Sequence, residues 1–313
     1  MEYKDYIMLD ILGKRYLFFI FSLVLIIPGM VVLAIWGIPF SIDFTGGSYL
    51  ELQFSNSVPQ SEEIVNLYYE FGITDVQVQT SENAILIIRS QFIEDDVRGQ
   101  IMAVISERFD ENVEMIRFDS VGGTIGQEVT SQAALAVGVS ALGVILFITF
   151  AFRGVEHALR YGICAIVAML HDFLVVLSIS ALGGKFFGWQ FDTLFLTAFL
   201  TVIGFSVQDK IVVFDRIREN SSIFRKISFE KLTNHSIVQT LSRSINTQLM
   251  TSEFLLLALA LFGGVTLRVF SIVLLIGLFM GTYSSIFVAA PILVIWENKE
   301  WRNWFKSKKT KAV

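Results

Sequence analysis

Six mostly apolar runs divide this 313-residue chain, at 16–36, 132–152, 160–182, 191–214, 245–263 and 269–296. Each is close to or longer than the ~20 residues an α-helix needs to cross a hydrocarbon layer. Between 41 and 120 the period changes. Ser48 to Phe54 alternates apolar and polar, as a half-buried strand does. Pro59 suits a first helical turn, Ile64, Leu67, Tyr68 and Phe71 form an apolar stripe, and Gly72 ends it. Thr74 to Thr80 alternates again, and Ala84 to Ile88 is a short β-branched run. Val97, Ile101, Val104 and Ile105 then recur at helical spacing, and Val113 to Phe118 makes a last strand. The predicted order is β-α-β-β-α-β, the split ferredoxin-like arrangement. The expected fold class is an α-helical polytopic membrane protein of six transmembrane helices. A small α+β ferredoxin-like extracytoplasmic domain lies between its first and second spans.

Composition agrees with the pattern: 54% of residues are hydrophobic and 17% charged, against about 25% charged in a soluble domain. With the N-terminus inside and six alternating spans, 17 of the 24 Lys and Arg residues fall in inside segments. The two short outside loops hold only Lys185 and Arg268. That bias places both termini in the cytoplasm. The first run has the basic flank of a signal peptide, but it is long and no small-residue cleavage site follows, so it reads as an uncleaved span. The expected organisation is a tail and first helix over 1–37, the outer domain over 38–125, and five helices over 126–297. A cytoplasmic amphipathic loop is expected at 215–244 and a basic tail over 298–313. The single Cys164 excludes a disulfide framework, and the three histidines lack metal-ligand spacing. No nucleophile–base pair, phosphate loop or basic nucleic-acid face is visible, so neither an enzyme nor a nucleic-acid binder is expected.

The candidate chemistry sits where charge interrupts the apolar runs. Gln208, Asp209 and Lys210 fall inside the fourth, within GFSVQDKIVVFDRIREN. A charge inside a span costs roughly 2.5–3.5 kcal/mol on insertion scales, so it marks a functional site and calls for a partner. The next basic residue near an apolar run is Arg243, and an Asp209–Arg243 pair is the expectation; a static ion pair or a wet interfacial Asp is the alternative. Lys210 and Glu253 are further intramembrane charges of opposite sign, expected not to pair. Glu253 lies ten residues past Arg243, or ~15 Å along a helix. Consecutive helix residues point ~100° apart, so Lys210 is expected to turn away from Asp209. His171–Asp172 in the third run reads as a brace between helices rather than a proton carrier. Gly122, Gly123 and Gly126 allow a hinge between the outer domain and the second span. Gly281, Ser284, Ser285 and Ala289 in the last span read as small residues for close helix packing.

These strings resemble the SecF family within the SecD/SecF proteins of the resistance-nodulation-division (RND) superfamily. The carriers are IDFTGG from Ile42, VGGTIGQEV from Val121, Leu170-His171-Asp172, VVFDRIREN from Val212, TLSRSINT from Thr240 and GTYSSIFVAAP from Gly281. They occur in the family's order, nearly end to end. The resemblance implies one RND-like half that pairs with SecD in the plasma (inner) membrane. It implies work with the SecY/SecE/SecG channel, with YajC as a further partner, on unfolded preproteins. The coupling ion is expected to be the proton, with sodium as the alternative and no other cofactor; the family's intramembrane Asp and Arg fall on Asp209 and Arg243. The sequence departs from the family at Lys210, usually Thr or Ser, and at Glu253, usually uncharged. The rival readings are an RND-type exporter of lipid or a small molecule and a scaffold that transduces nothing.

Overall fold

The computed structural model describes residues 9–55, 58–81, 84–109, 112–153, 158–248 and 254–304. The chain divides into two compact units. One comprises Met1–Pro39, Val137–Trp189 and Leu194–Val313; the other comprises Phe40–Ala136 with Gln190–Thr193.

The smaller unit carries the sheet. A one-turn helix α2 (Ile42–Thr45) leads into β1 (Gly47–Gln53), α3 (Ser61–Glu70), β2 (Val76–Ser81), β3 (Ile85–Ser90), α4 (Asp95–Arg108) and β4 (Glu114–Val121). The alternation read from the sequence becomes one antiparallel sheet in the order β2-β3-β1-β4. Leu50 and Leu52 of β1 lie opposite Ile88 and Leu86 of β3. With Ile64, Leu67 and Tyr68 of α3 and Ile101 and Ile105 of α4, they form one buried core. Gly72, at φ +76°, lets the chain leave α3.

The glycines of IDFTGG and VGGTIG meet in this unit. Gly46 (φ +71°) and Gly47 (φ +126°) turn the chain from α2 into β1. The long helix α5 (Gly123–Ala151) begins two residues after β4 ends. A Cβ on Gly126 would lie 2.7 Å from the Gly46 nitrogen and 3.1 Å from the Phe44 carbonyl oxygen. Gly126 is therefore a close-packing glycine inside a helix rather than a free hinge position, and only Gly122 is left between strand and helix. The Thr130 hydroxyl, one turn on, donates to Phe44 O at 3.1 Å. Gly126→Val forces backbone apart and is expected to cost about 1–3 kcal/mol, as overpacking does. Gly138→Ala, with nothing within 4 Å of its Cβ, is expected to cost nothing. Melting of the two purified variants checks this, and equal melting temperatures would show that the contact is not needed.

The larger unit is helical: α1 (Arg15–Trp36), α6 (Ala158–Phe187), α7 (Thr193–Ile223), α8 (Phe229–Gln248), α9 (Phe254–Phe262), α10 (Val265–Ser284), α11 (Ala290–Glu297) and α12 (Trp301–Trp304). Among the described residues five helical stretches are long and apolar enough to cross a membrane: Leu12–Trp36, Gly123–Ala151, Ala158–Phe187, Thr193–Ile223 and Leu267–Glu297. The chain is a membrane protein. The run at 245–263 is described only at its ends, as the last turn of α8 and the nine-residue α9. The charged string VVFDRIREN does not begin a loop. It continues α7 for three more turns, and much of the amphipathic loop expected at 215–244 belongs to the 20-residue α8. Leu232, Thr233, Ser236, Ile237, Thr240 and Ser244 of α8 are buried at helical spacing. Asn220 of α7 donates to Ser236 Oγ at 2.8 Å across that seam. Arg15 ties the start of α1 to Glu230 of α8 at 2.5 Å and to Glu300 at 2.7 Å.

Between α10 and α11, Ser285–Ala289 winds as a π-helical turn. Such turns are rare and collect at functional sites. Pro291 follows within the continuous stretch Leu267–Glu297.

Candidate functional site

Asp209 and Lys210 are neighbours on α7, and the helix turns them to different surroundings, as the phase of a helix requires. Lys210 points inward and is fully buried. Its Nζ reaches Asp172 Oδ2 on α6 at 2.7 Å, Ser206 O at 3.2 Å and Ser206 Oγ at 2.5 Å. Asp172, also buried, accepts on Oδ2 from Ser206 Oγ at 2.5 Å and Ser284 Oγ at 2.7 Å as well. His171 Nδ1 lies 3.0 Å from Asp172 Oδ1. A carboxylate only accepts, so Nδ1 carries the proton of that bond. His171 Nε2 is buried without a hydrogen-bond partner among the described residues, and the ring stacks on Tyr283 at 6.1 Å. This centre joins α6, α7 and α10.

Asp209 is half-buried. Its Oδ1 accepts from Ser244 Oγ of α8 at 2.9 Å and its Oδ2 from Ser285 Oγ at 2.6 Å. It lines a cavity of about 80 Å³ with Phe205, Gln208, Val212, Arg243, Ser244, Thr247 and Gln248. Arg243 is the one other charged group of that lining. The expected Asp209–Arg243 ion pair is not formed: no such contact lies within 4 Å among the described residues. The physical reason is the phase of α8. Ser244 occupies the position facing Asp209, and Arg243, one residue earlier, is exposed at the cavity wall. Gln208 is likewise exposed at the wall.

The last long helical stretch, Leu267–Glu297 (the last helix), carries the largest correction. Ser284 and Ser285 are not merely small residues for packing; consecutive in sequence, they donate to the two different carboxylates, Asp172 and Asp209. Gly281 does serve close approach, its Cβ position lying 3.3 Å from Ser206 Cα, and Ala289 is fully buried. Lys210, expected to turn away from Asp209 and not to pair with Glu253, has its three N–H groups engaged by Asp172 and Ser206. Glu253 lies outside the described residues. Ser206 and Ser244 were missed as carboxylate donors. The signal for Ser206 was its place four residues before Lys210, on the same helical face.

Comparison with known proteins places this arrangement in a family. Residues 101–299 match the protein export membrane protein SecD/SecF C-terminal family, and residues 31–58 match the SecD/SecF GG motif, which contains Gly46 and Gly47. The chain is 66% identical over 300 residues to the protein translocase subunit SecF of Anaerolinea thermophila, covering 96% of this chain and 97% of the relative. It is 44% identical to that of Thermobaculum terrenum, covering 98% and 99%. The crystal structure of SecDF, a translocon-associated membrane protein from Thermus thermophilus, superposes with a TM-score of 0.80 at 30% identity. That match covers 95% of this chain and 40% of the SecDF chain. By the extent and identity of these matches, the chain belongs to the SecF family of SecD/SecF protein-export membrane proteins.

Proposed function

We propose that this chain is the SecF half of a SecD–SecF pair that uses the proton motive force to drive or complete export of unfolded polypeptide through the Sec channel. The observation that carries the reading is the state of Asp209. It is a carboxylate within a span, held by only two serine hydroxyls, open to a cavity, with Arg243 on the same wall and not paired to it. Such a group has room to take up and release a proton. The half that SecD supplies follows from length: this chain spans 40% of the Thermus SecDF chain and 33% of the SecDF of Brucella abortus it matches.

In this reading the protein lies in the plasma (inner) membrane with six spans and both termini cytoplasmic, and the four-stranded unit is a ferredoxin-like domain outside. The coupling ion is the proton, sodium being the alternative that an ion-substitution arm of the assay separates. SecY, SecE, SecG and YajC are the associated components. The role is mechanical rather than enzymatic. The test is export in vesicles holding the channel and SecD, with and without this chain, before and after collapse of the proton gradient. The gradient-dependent part of export is expected to appear only with the chain present. An equal gradient response without it would return the scaffold reading.

A further inference from the structure

The two carboxylates differ in how fully their oxygens are used, and the last helix touches both. An ionised carboxylate has about four acceptor positions and a Lys ammonium three donors. Asp172 accepts four hydrogen bonds, from Ser206, Lys210, Ser284 and His171. Lys210 gives all three of its protons to Asp172 and Ser206. This centre is closed in the sense that a buried ammonium and two hydroxyls converge on Asp172 Oδ2, while Oδ1 carries His171 alone. Among the described residues Asp209 accepts two hydrogen bonds and keeps two positions.

Ser285 stands between two acceptors. Its Oγ lies 2.6 Å from Asp209 Oδ2 and 2.8 Å from the carbonyl oxygen of Thr282, one turn back on its own helix. A hydroxyl has one proton and can donate to only one of them. We propose that Ser285 is the positioning residue that carries the protonation state of Asp209 to the last helix, and that Asp172–Lys210, acting through Ser284, is the fixed point against which that helix moves. This rests on the reading of Asp209 as the proton-exchanging group.

The proton balance is simple. While Asp209 is ionised it can only accept, so the Ser285 proton is held on Oδ2. When a proton arrives on Oδ2, the new carboxyl O–H donates to Ser285 Oγ. The Ser285 proton then turns to Thr282 O, and no other bond breaks. Back-bonding of a serine to a carbonyl of the preceding turn bends a helix slightly. Here that turn adjoins the π-helical segment Ser285–Ala289, a place where the ladder is already irregular. Ser244, the other donor to Asp209, has no second acceptor among the described contacts, so it holds Asp209 without reporting on it. The charged and titratable groups facing this region are Arg243 on the cavity wall and Lys210, Asp172 and His171 in the closed centre. Tyr283 lies beside them, its hydroxyl donating to Phe18 O at 2.8 Å.

The test combines two readouts on the chain reconstituted with SecD and the channel. One is the carboxyl band in pH-difference infrared spectra, assigned to Asp209 by its loss in Asp209→Asn. The other is gradient-dependent export. Ser285→Ala is expected to keep the band but shift it to higher wavenumber, since the carboxyl has lost its acceptor. It is also expected to lower gradient-dependent export by about tenfold or more, the size of one lost hydrogen bond to a charged group. Ser285→Cys, a weak donor of similar volume, is expected to fall between. An unshifted band in Ser285→Ala, or gradient-dependent export at the wild-type level, overturns the relay while leaving Asp209 in its role if Asp209→Asn still abolishes the response. Full gradient response in Asp209→Asn overturns both.

Discussion

Lys210→Met is expected to be among the most destabilising single substitutions in the helical unit, and the double change Asp172→Asn with Lys210→Met to restore much of the loss. The ammonium is fully buried and bonded at 2.7 Å to a carboxylate that is itself buried. Removing one partner leaves the other's charge in a low-dielectric interior, which costs about 3–5 kcal/mol for buried pairs. Neutralising both removes that charge and leaves Ser206, Ser284 and His171 to bond a neutral amide. The pair is thus worth far less than the cost of breaking it, and a double-mutant cycle separates the two quantities. Melting of the four proteins in one detergent checks the expectation. If the double variant melts as low as Lys210→Met, the charges are not compensating each other and the closed centre is misassigned.

Much of this architecture was legible because its signals are local. The period of two in Ser48–Phe54 and the helical stripes of 64–71 and 97–105 became β1, α3 and α4 because each residue's face follows from its own position in the chain. The separation of Asp209 from Lys210 was legible for the same reason, since adjacent residues on a helix cannot face one way. What could not be read was which helix each would meet. The sequence offered Glu253 as a partner for Lys210 and did not point to Asp172, because that contact depends on how α6 and α7 pack and at what height. Only the folded chain supplies that.

The serines were illegible for a chemical reason. In an apolar span a serine is equally a small residue that lets helices approach and a hydroxyl that donates to something across the interface. Gly281 and Ala289 bias the reading of Ser284 and Ser285 towards size, and the structure shows hydroxyl chemistry as well. Arg243 illustrates the converse error. A lone cation near a lone intramembrane carboxylate invites pairing, but a shift of one residue along α8 puts Ser244 on the carboxylate and leaves Arg243 at the wall. That geometry leaves Asp209 with two hydroxyl partners and an open cavity, where Asp172 is held by a buried ammonium and three further donors.

Asp209→Asn is expected to abolish the gradient-dependent part of export while leaving a folded protein that assembles with SecD. An amide keeps the shape and still accepts from Ser285 or Ser244 through its oxygen, so the contacts to α8 and the last helix lose little. What it loses is the charge change. Each charge moved through 100 mV of membrane potential contributes ~2.3 kcal/mol, enough to shift a two-state equilibrium by more than tenfold. With no titratable group at 209, that energy loses its site of entry at the cavity, and the buried carboxylate of α6, Asp172, is tied to a buried ammonium. The Arg243→Met change is expected to impair the same gradient-dependent component without touching assembly, since Arg243 lines the cavity but makes no ion pair among the described residues. Export is measured in vesicles with and without a proton gradient, and assembly by co-purification with SecD. A gradient response in Asp209→Asn equal to that of the unaltered chain would remove Asp209 from the mechanism and leave the protein as a scaffold for its partners.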